Sequence, residues 1–496
     1  MINNLLAFVD VLSTIGSILV AILILLATIT VHEFGHYVVG KIFKFKINEF
    51  AIGMGPALFK RNLKNGEVFS IRVLPLGGFC EFEGEDQDDS TVKAENEKLE
   101  KQQESENNEA IDGDKPDIEQ KPKKVLSENA FNNKPPWQRI LVLLAGATLN
   151  MIFALVIVIA NFSIFGHTAY APAEIRPDET AGYSLQKGDI ITSIDGHYIY
   201  HSVDMISSLD GKKENDIVTV EVLRDGKKEK VDVMLRCDVT PESLTDYSDV
   251  FRSLGVGTVP AFTTAENSQI PSGEYLLRFN DGEEYSKGTR IYDTESFFSY
   301  LEKFNDNDKV EIWMTTSDET DDDGRVIVEL TIPEGFSEAD KTDLVALKAL
   351  FGIESVGYSY QVSTENAKLS FGELLYRPFI YSVKTIGLTF ESLFGLFNGS
   401  VPLNSVTGPI GTISLTAQYA TYGFNFLLEI AGLIGFSVAI FNLLPIPALD
   451  GARAVFVAIE WVRGKPINRN VEGMIHTVGL FLLLGVAIFF DILQFI

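Results

Sequence analysis

The sequence predicts a polytopic α-helical membrane protein. It should have four transmembrane helices, a membrane-associated β-hairpin or loop, and two extracytoplasmic α/β modules. Three observations predict this: apolar and acidic residues are segregated, four apolar runs are each long enough to cross a bilayer, and one soluble stretch contains an internal echo.

The chain has 496 residues, a length that suggests about three domains. Asp and Glu number 68 against 41 Lys and Arg, a formal net charge of −27. A nucleic-acid binder needs basic surface to replace counterions, so nucleic acid is excluded as a partner. Yet 46% of residues are hydrophobic and mean hydropathy is positive. Only segregation reconciles these figures. Cys80 and Cys237 are too few for a disulfide framework, and neither has a CxxC neighbour.

Residues 11–31 carry no charge, and about twenty apolar residues span a bilayer core. A second run follows Arg139, a third lies between Glu429 and Asp450, and a fourth follows Glu472. The first lacks the basic start and cleavage site of a signal peptide. Lys41, Lys44 and Lys46 follow the first span. Lys121, Lys123, Lys124, Lys134 and Arg139 precede the second, and Arg453, Arg463, Lys465 and Arg469 separate the last two. Positive flanks face the cytoplasm. Both termini and the long segment after the second span are therefore expected outside.

Residues 1–40 hold the first span. Residues 41–82 read as a hairpin or small sheet: Gly-rich corners at Phe50–Pro56 and Pro75–Phe79 bracket the alternating stretch Val68–Val73. Residues 83–130 are acidic, Gln/Asn-rich and poor in large apolar side chains, as expected of a disordered cytoplasmic insertion. Residues 131–166 hold the second span. In 167–262 come a turn, a strand and a turn at Lys187–Gly196, a helix at Ser202–Leu209, and strands at Ile217–Arg224 and Lys230–Leu235. An echo in 263–345, from Gly273, implies tandem modules of one fold. Residues 346–424 should be interfacial amphipathic helices and a connector, with a fifth span as the alternative. Residues 425–452 hold the third span, and 453–496 a cytoplasmic loop and the fourth.

His32-Glu33-Phe34-Gly35-His36 is HExxH. On a helix, residues four apart share a face, so both imidazoles can reach one zinc ion. Glu33 between them can deprotonate a water there. Catalytic zinc takes a third protein ligand. Asp450 ends the third span at matching depth, after a helix broken by Pro445 and Pro447 and beside the polar Asn442. His476 is the second candidate. Glu460 and Asp491, acidic residues near span ends, are expected to be replaceable. A centre in the membrane implies a transmembrane substrate that must unwind. Exposed strand edges capture extended chains, so Val68, Phe69, Ser70, Ile71, Arg72 and Val73 form the candidate edge. A simple hairpin packing the first span is the equal alternative.

These residues resemble the site-2 protease family of intramembrane zinc metalloproteases, and within it the bacterial regulator-of-sigma protease (RseP/RasP-like) group. The resemblance rests on His32–His36, Gly53–Pro56, Pro75–Gly78, Trp137–Arg139, Ala145-Gly146 to Asn150, and Asn442 to Gly451. Two departures leave ligands and base intact: Ala147 stands where the family has Pro, and Ala452 where it has Gly. The resemblance implies Zn2+ held by His32, His36 and Asp450, Glu33 as catalytic base, and Asn442 near the substrate. It implies a membrane-reentrant β-loop at 41–82 and PDZ-like folds for the two modules, which would act as a size filter. It also implies a multi-pass bacterial plasma-membrane enzyme with its active site toward the cytoplasm. Such an enzyme would cut anti-sigma factors or signal-peptide remnants after an upstream first-cleaving protease. A catalytically silent PDZ-bearing membrane scaffold is the rival reading, opposed by the intact ligand set. A transporter is disfavoured because no inverted repeat accompanies the four spans.

Overall fold

The computed structural model describes residues 2–85, 126–176, 185–237, 239, 248–282, 285–315, 325–403, 406–465 and 467–494. Most of the acidic insertion expected at 83–130 lies outside them. The chain divides into two compact units, one of residues 1–165 with 369–496 and one of residues 166–368.

In the first unit, helix α1 (Ile2–Ile42) leads into strands β1 (Ile47–Asn62) and β2 (Val68–Phe82). Helix α2 (Pro136–Ile164) follows, with proline at its start, where no amide hydrogen is needed. Among the described residues, four helical segments are long and apolar enough to cross a membrane: Thr14–Ile42, Pro136–Ile164, Phe424–Leu443 and Asn470–Leu493. The shortest, 20 residues, spans ~30 Å at about 1.5 Å per residue, the thickness of a bilayer's hydrocarbon core. Two threonines inside α1 satisfy themselves within the helix: Thr28 and Thr30 donate to the Ile24 and Leu26 carbonyls at 2.9 and 2.7 Å.

The β-loop is more folded than a hairpin. Ile47–Ile52 pairs on one side with Gly78–Phe82 and on the other with Val68–Ile71, and Ala57–Asn62 pairs with Val68–Arg72. The spatial order is therefore 78–82, 47–52, 68–72, 57–62. Glycines at positive φ, Gly53 and Gly77 among them, turn each strand back on itself. This corrects the expected edge. Val68, Phe69, Ser70 and Ile71 are paired on both sides, Arg72 is paired with Ala57, and Val73 lies exposed at the tip. Ser70 is buried and donates to Glu49 at 2.5 Å, and Arg72 bridges Glu49 at 2.6 Å. The edge that meets α1 is Gly78–Phe82.

The second unit is wholly β-rich. Strands β3 (His167–Pro172), β4 (Ile190–Ile194) and β5 (His197–Tyr198) precede helix α3 (Ser202–Leu209), then β6 (Ile217–Arg224) and β7 (Lys227–Met234). After α4 (Ser248–Ser253) come β8 (Thr258–Thr264), β9 (Tyr275–Phe279), α5 (Thr294–Leu301), β10 (Lys309–Thr315), β11 (Val326–Thr331), α6 (Leu344–Leu350), β12 (Ile353–Tyr360) and β13 (Val362–Ala367). One sheet runs β13-β3-β4-β6-β7 and the other β11-β10-β9-β8-β12. The two sheets are thus nested in sequence rather than tandem, because β13 returns to pair with β3 after β8–β12. The unit ends at 368, not 345: β12 and β13 occupy residues expected to be connector. Each sheet has its own apolar core, one around Phe262, Phe279 and Phe297, the other around Ile191, Met205 and Val220.

The chain then returns to the first unit through α7 (Phe371–Leu374), α8 (Arg377–Asn398), α9 (Pro409–Tyr422), α10 (Phe424–Leu443), α11 (Asp450–Arg463) and α12 (Arg469–Gln494). Helix α2 is the hub of this unit, packing against α1, α8, α10 and α11. Small residues make the crossings close. A Cβ on Gly435 would lie 3.0 Å from Ala154, and one on Gly35 would strike the Ala145 carbonyl. Glu460 and Asp491, expected to be replaceable, are both buried. Glu460 bridges Arg139 at 2.9 Å. Asp491 accepts the free amides of Ile410 and Gly411 at the start of α9, at 3.2 and 2.9 Å. Losing either carboxylate would strand a buried partner.

Gly35→Ala is expected to destabilise the protein by roughly 1–3 kcal/mol, since backbone rather than a movable side chain blocks the added methyl. Gly16→Ala, with open space around it, should not. Thermal unfolding of the two purified variants checks this, and equal melting temperatures would contradict it.

Candidate metal centre and active site

His32 and His36 lie one turn apart on the buried face of α1, both 7% exposed. Asp450 reaches them from the first residue of α11, where a helix N-terminus favours a carboxylate. Asp450 Oδ2 lies 2.9 Å from His32 Nε2 and 3.2 Å from His36 Nε2, and the two Nε2 atoms are 3.2 Å apart. These are close to the ~3.3 Å ligand spacing of a tetrahedral ion with ~2.0 Å bonds. Two imidazole nitrogens and a carboxylate are also a donor set suited to zinc. His36 Nδ1 lies 2.8 Å from the Val142 carbonyl. A proton held there leaves Nε2 free as a ligand.

Gly146 makes this geometry possible. A Cβ there would lie 2.5 Å from His36 Nε2 and 2.8 Å from His32 Nε2, so the helix backbone forms one wall of the site. Glu33 turns the other way. Its Cγ would meet a Cβ on Gly78 at 3.3 Å, and the Cys80 main-chain amide hydrogen-bonds its carboxylate. Glu33 therefore stands between the imidazoles and the outer edge of the β-loop.

The segment carrying Asp450 is tightly held. Helix α10 ends at Leu443, ahead of Pro445 and Pro447. Ala448 takes φ +82°, a conformation that a residue with a Cβ adopts at a cost of about 1–2 kcal/mol. Its amide donates to His476 Nδ1 at 2.9 Å. The second ligand candidate, His476, is thus a brace for the loop, and the metal cluster among the described residues is His32, His36 and Asp450. Gly451 tolerates the turn because a Cβ would strike the Leu443 and Leu444 carbonyls. Asn442, half-buried on the last turn of α10, turns its Nδ2 onto the Val438 carbonyl at 2.9 Å.

Of the residues expected from sequence, His32, Glu33, His36 and Asp450 come together. Val68–Ile71 is separated from the Gly78–Phe82 edge by Ile47–Ile52. Gly146 and Gly78 carry the sequence resemblance but no expected role, and His476 is expected as a ligand rather than as the brace of Ala448. The only signals for the glycines were Ala-Gly inside an apolar span and Gly-Gly after Pro75.

A membrane helix bearing HExxH, completed by a carboxylate from a distant helix, defines a zinc-dependent membrane metalloendopeptidase. The sequence profile of peptidase family M50 matches residues 20–486, and the chain belongs to that family. It is similar to a putative zinc metalloprotease of Fusobacterium nucleatum, 24% identical over 470 residues and 94% of each chain. It is also similar to the regulator of sigma E protease of Haemophilus influenzae, at 23% identity over 96% of this chain and 97% of that one. Protease RseP of Yersinia pestis is 24% identical, over 97% and 99%. The protein is an intramembrane zinc metalloendopeptidase of the site-2 type.

Gly146→Ala is expected to weaken zinc binding by at least tenfold, because the added methyl displaces both imidazoles. Competition with a chromogenic chelator measures this. Unchanged affinity would show that the Gly146 wall is not needed.

Proposed function

We propose that His32, His36 and Asp450 hold the zinc ion and that Glu33 is the catalytic base. The observation that carries this reading is the meeting of His32 and Asp450, 418 positions apart in sequence, at 2.9 Å. Bound zinc supplies Lewis-acid activation of water and of the scissile carbonyl. Glu33 takes the proton of the attacking water on a carboxylate oxygen and passes it to the departing amide nitrogen. An unwound segment of a membrane-protein substrate lies along the Gly78–Phe82 edge by main-chain pairing. That places its backbone beside Glu33. Asn442 stands near the substrate.

The basic flanks orient the site toward the cytoplasm, with both termini and the β-rich unit outside a bacterial plasma membrane. The two nested copies act as PDZ-like modules that admit only substrates already trimmed by a first protease. The names of the sigma-regulating relatives support anti-sigma factors as substrates, and signal-peptide remnants fit the same chemistry. The scaffold alternative is not favoured, because it leaves the assembled ligands and base without a use.

Glu33→Gln should keep stoichiometric zinc and lose cleavage by about 10²–10⁴-fold, the usual contribution of a general base. Asp450→Ala should lose both, while His476→Ala should retain the metal ligands. Metal analysis and cleavage of a model membrane substrate separate the three. Normal zinc and turnover in Asp450→Ala would sink the assignment.

Removal of residues 166–368 with a short linker should leave zinc bound and widen substrate choice, since every proposed ligand lies outside that segment. A deleted protein that binds zinc yet cleaves neither long nor short substrates would contradict the filter.

A further inference from the structure

We propose that Asn150 is a positioning residue for the metal centre, accepting the Nδ1–H of His32 on its side-chain oxygen. The inference rests on the zinc set proposed above and extends it to a residue with no assigned role.

The two imidazoles are unequally supported. His36 has the Val142 carbonyl at Nδ1. His32 Nδ1 is buried and has no hydrogen-bond partner among the described residues, although its Nε2 is aimed at Asp450. A ligand imidazole needs its second nitrogen tied down, because that bond fixes both the tautomer and the ring plane.

A matching orphan lies on the facing helix. Asn150, midway along the 29-residue α2, is 0% exposed, and neither Oδ1 nor Nδ2 has a partner among the described residues. An unsatisfied amide within an apolar span is costly and usually functional. The order of contacts gives its place. His36 meets Val142, Gly35 meets Ala145, and His32 meets Gly146, so α1 and α2 run antiparallel. Moving one further turn along α2 on the same face reaches Asn150. Helical side chains lean toward the N-terminus of their own helix. The Asn150 amide therefore leans back over Gly146, which has no side chain to intervene, toward His32. One hydrogen bond, reached by side-chain rotation, would satisfy His32 Nδ1 and Asn150 Oδ1 together. It would also give each imidazole a support from α2, separated by two helical turns.

The test compares zinc dissociation constants of the full-length protein in detergent, by chelator competition, for wild type, Asn150→Leu and Asn150→Asp. Leucine keeps the volume and removes the acceptor, whereas aspartate keeps an acceptor. Asn150→Leu is expected to bind zinc 10–100-fold more weakly, with Asn150→Asp restored to within a few fold of wild type. If leucine prevents purification, Asn150→Ala serves the same comparison. Wild-type affinity in the leucine or alanine variant would overturn the proposal, as would equal weakening in the aspartate variant, the mark of a packing role alone. Asp450→Ala measured alongside keeps the two readings apart. If it retains zinc, the ligand set is wrong. If it loses zinc while Asn150→Leu does not, only the Asn150 role falls.

Discussion

The close crossing of α1 and α2 is the contact on which the rest of this enzyme depends. Gly35 and Gly146 bring the two backbones together with nothing between them but the imidazoles. In lipid the apolar effect does not drive helices together, so packing and internal hydrogen bonding must. Here the packing is made by absent side chains, and the hydrogen bonding by the rings that serve chemistry. Structure and site are therefore one contact: a wider crossing would lose the Val142 bond to His36 together with the ligand geometry.

Asp450, the proposed third ligand, depends on a second constraint, the stiffness of the Leu444–Leu449 turn. Two prolines, a residue at positive φ and a glycine pressed on carbonyls leave few conformations for the chain before Asp450. His476 holds Ala448 from α12, so the last helix acts on the centre without touching it. Strain kept beside a functional carboxylate is a common way of fixing it in advance.

Much of this was legible in the sequence, for physical reasons. Apolar runs declare themselves by length, so the four candidate spans among the described residues were all expected. HExxH declares itself because helical periodicity makes the spacing chemically meaningful. Asp450 could be favoured because charge is rare at membrane depth. What escaped was anything set by contact between segments. Val68–Val73 alternates like an edge strand, but alternation says nothing about how many neighbours a strand has, and Ile47–Ile52 lies against it. Glu460 and Asp491 looked replaceable because Arg139 and the α9 amides are remote in sequence. A repeat can reveal two copies. It cannot reveal that the last strand of the chain's excursion goes back to the first copy.

That return has a consequence for assembly. His167 pairs with Ala367, so two hundred residues of β-rich chain begin and end side by side. The entropy of closing so long a loop grows only logarithmically with its length, and here the β3–β13 ladder meets it inside the unit itself. The membrane helices on either side are joined, in effect, by a turn. They can find one another as though the intervening chain were a few residues long, and sequence drift in the two sheets need not disturb how the helices meet.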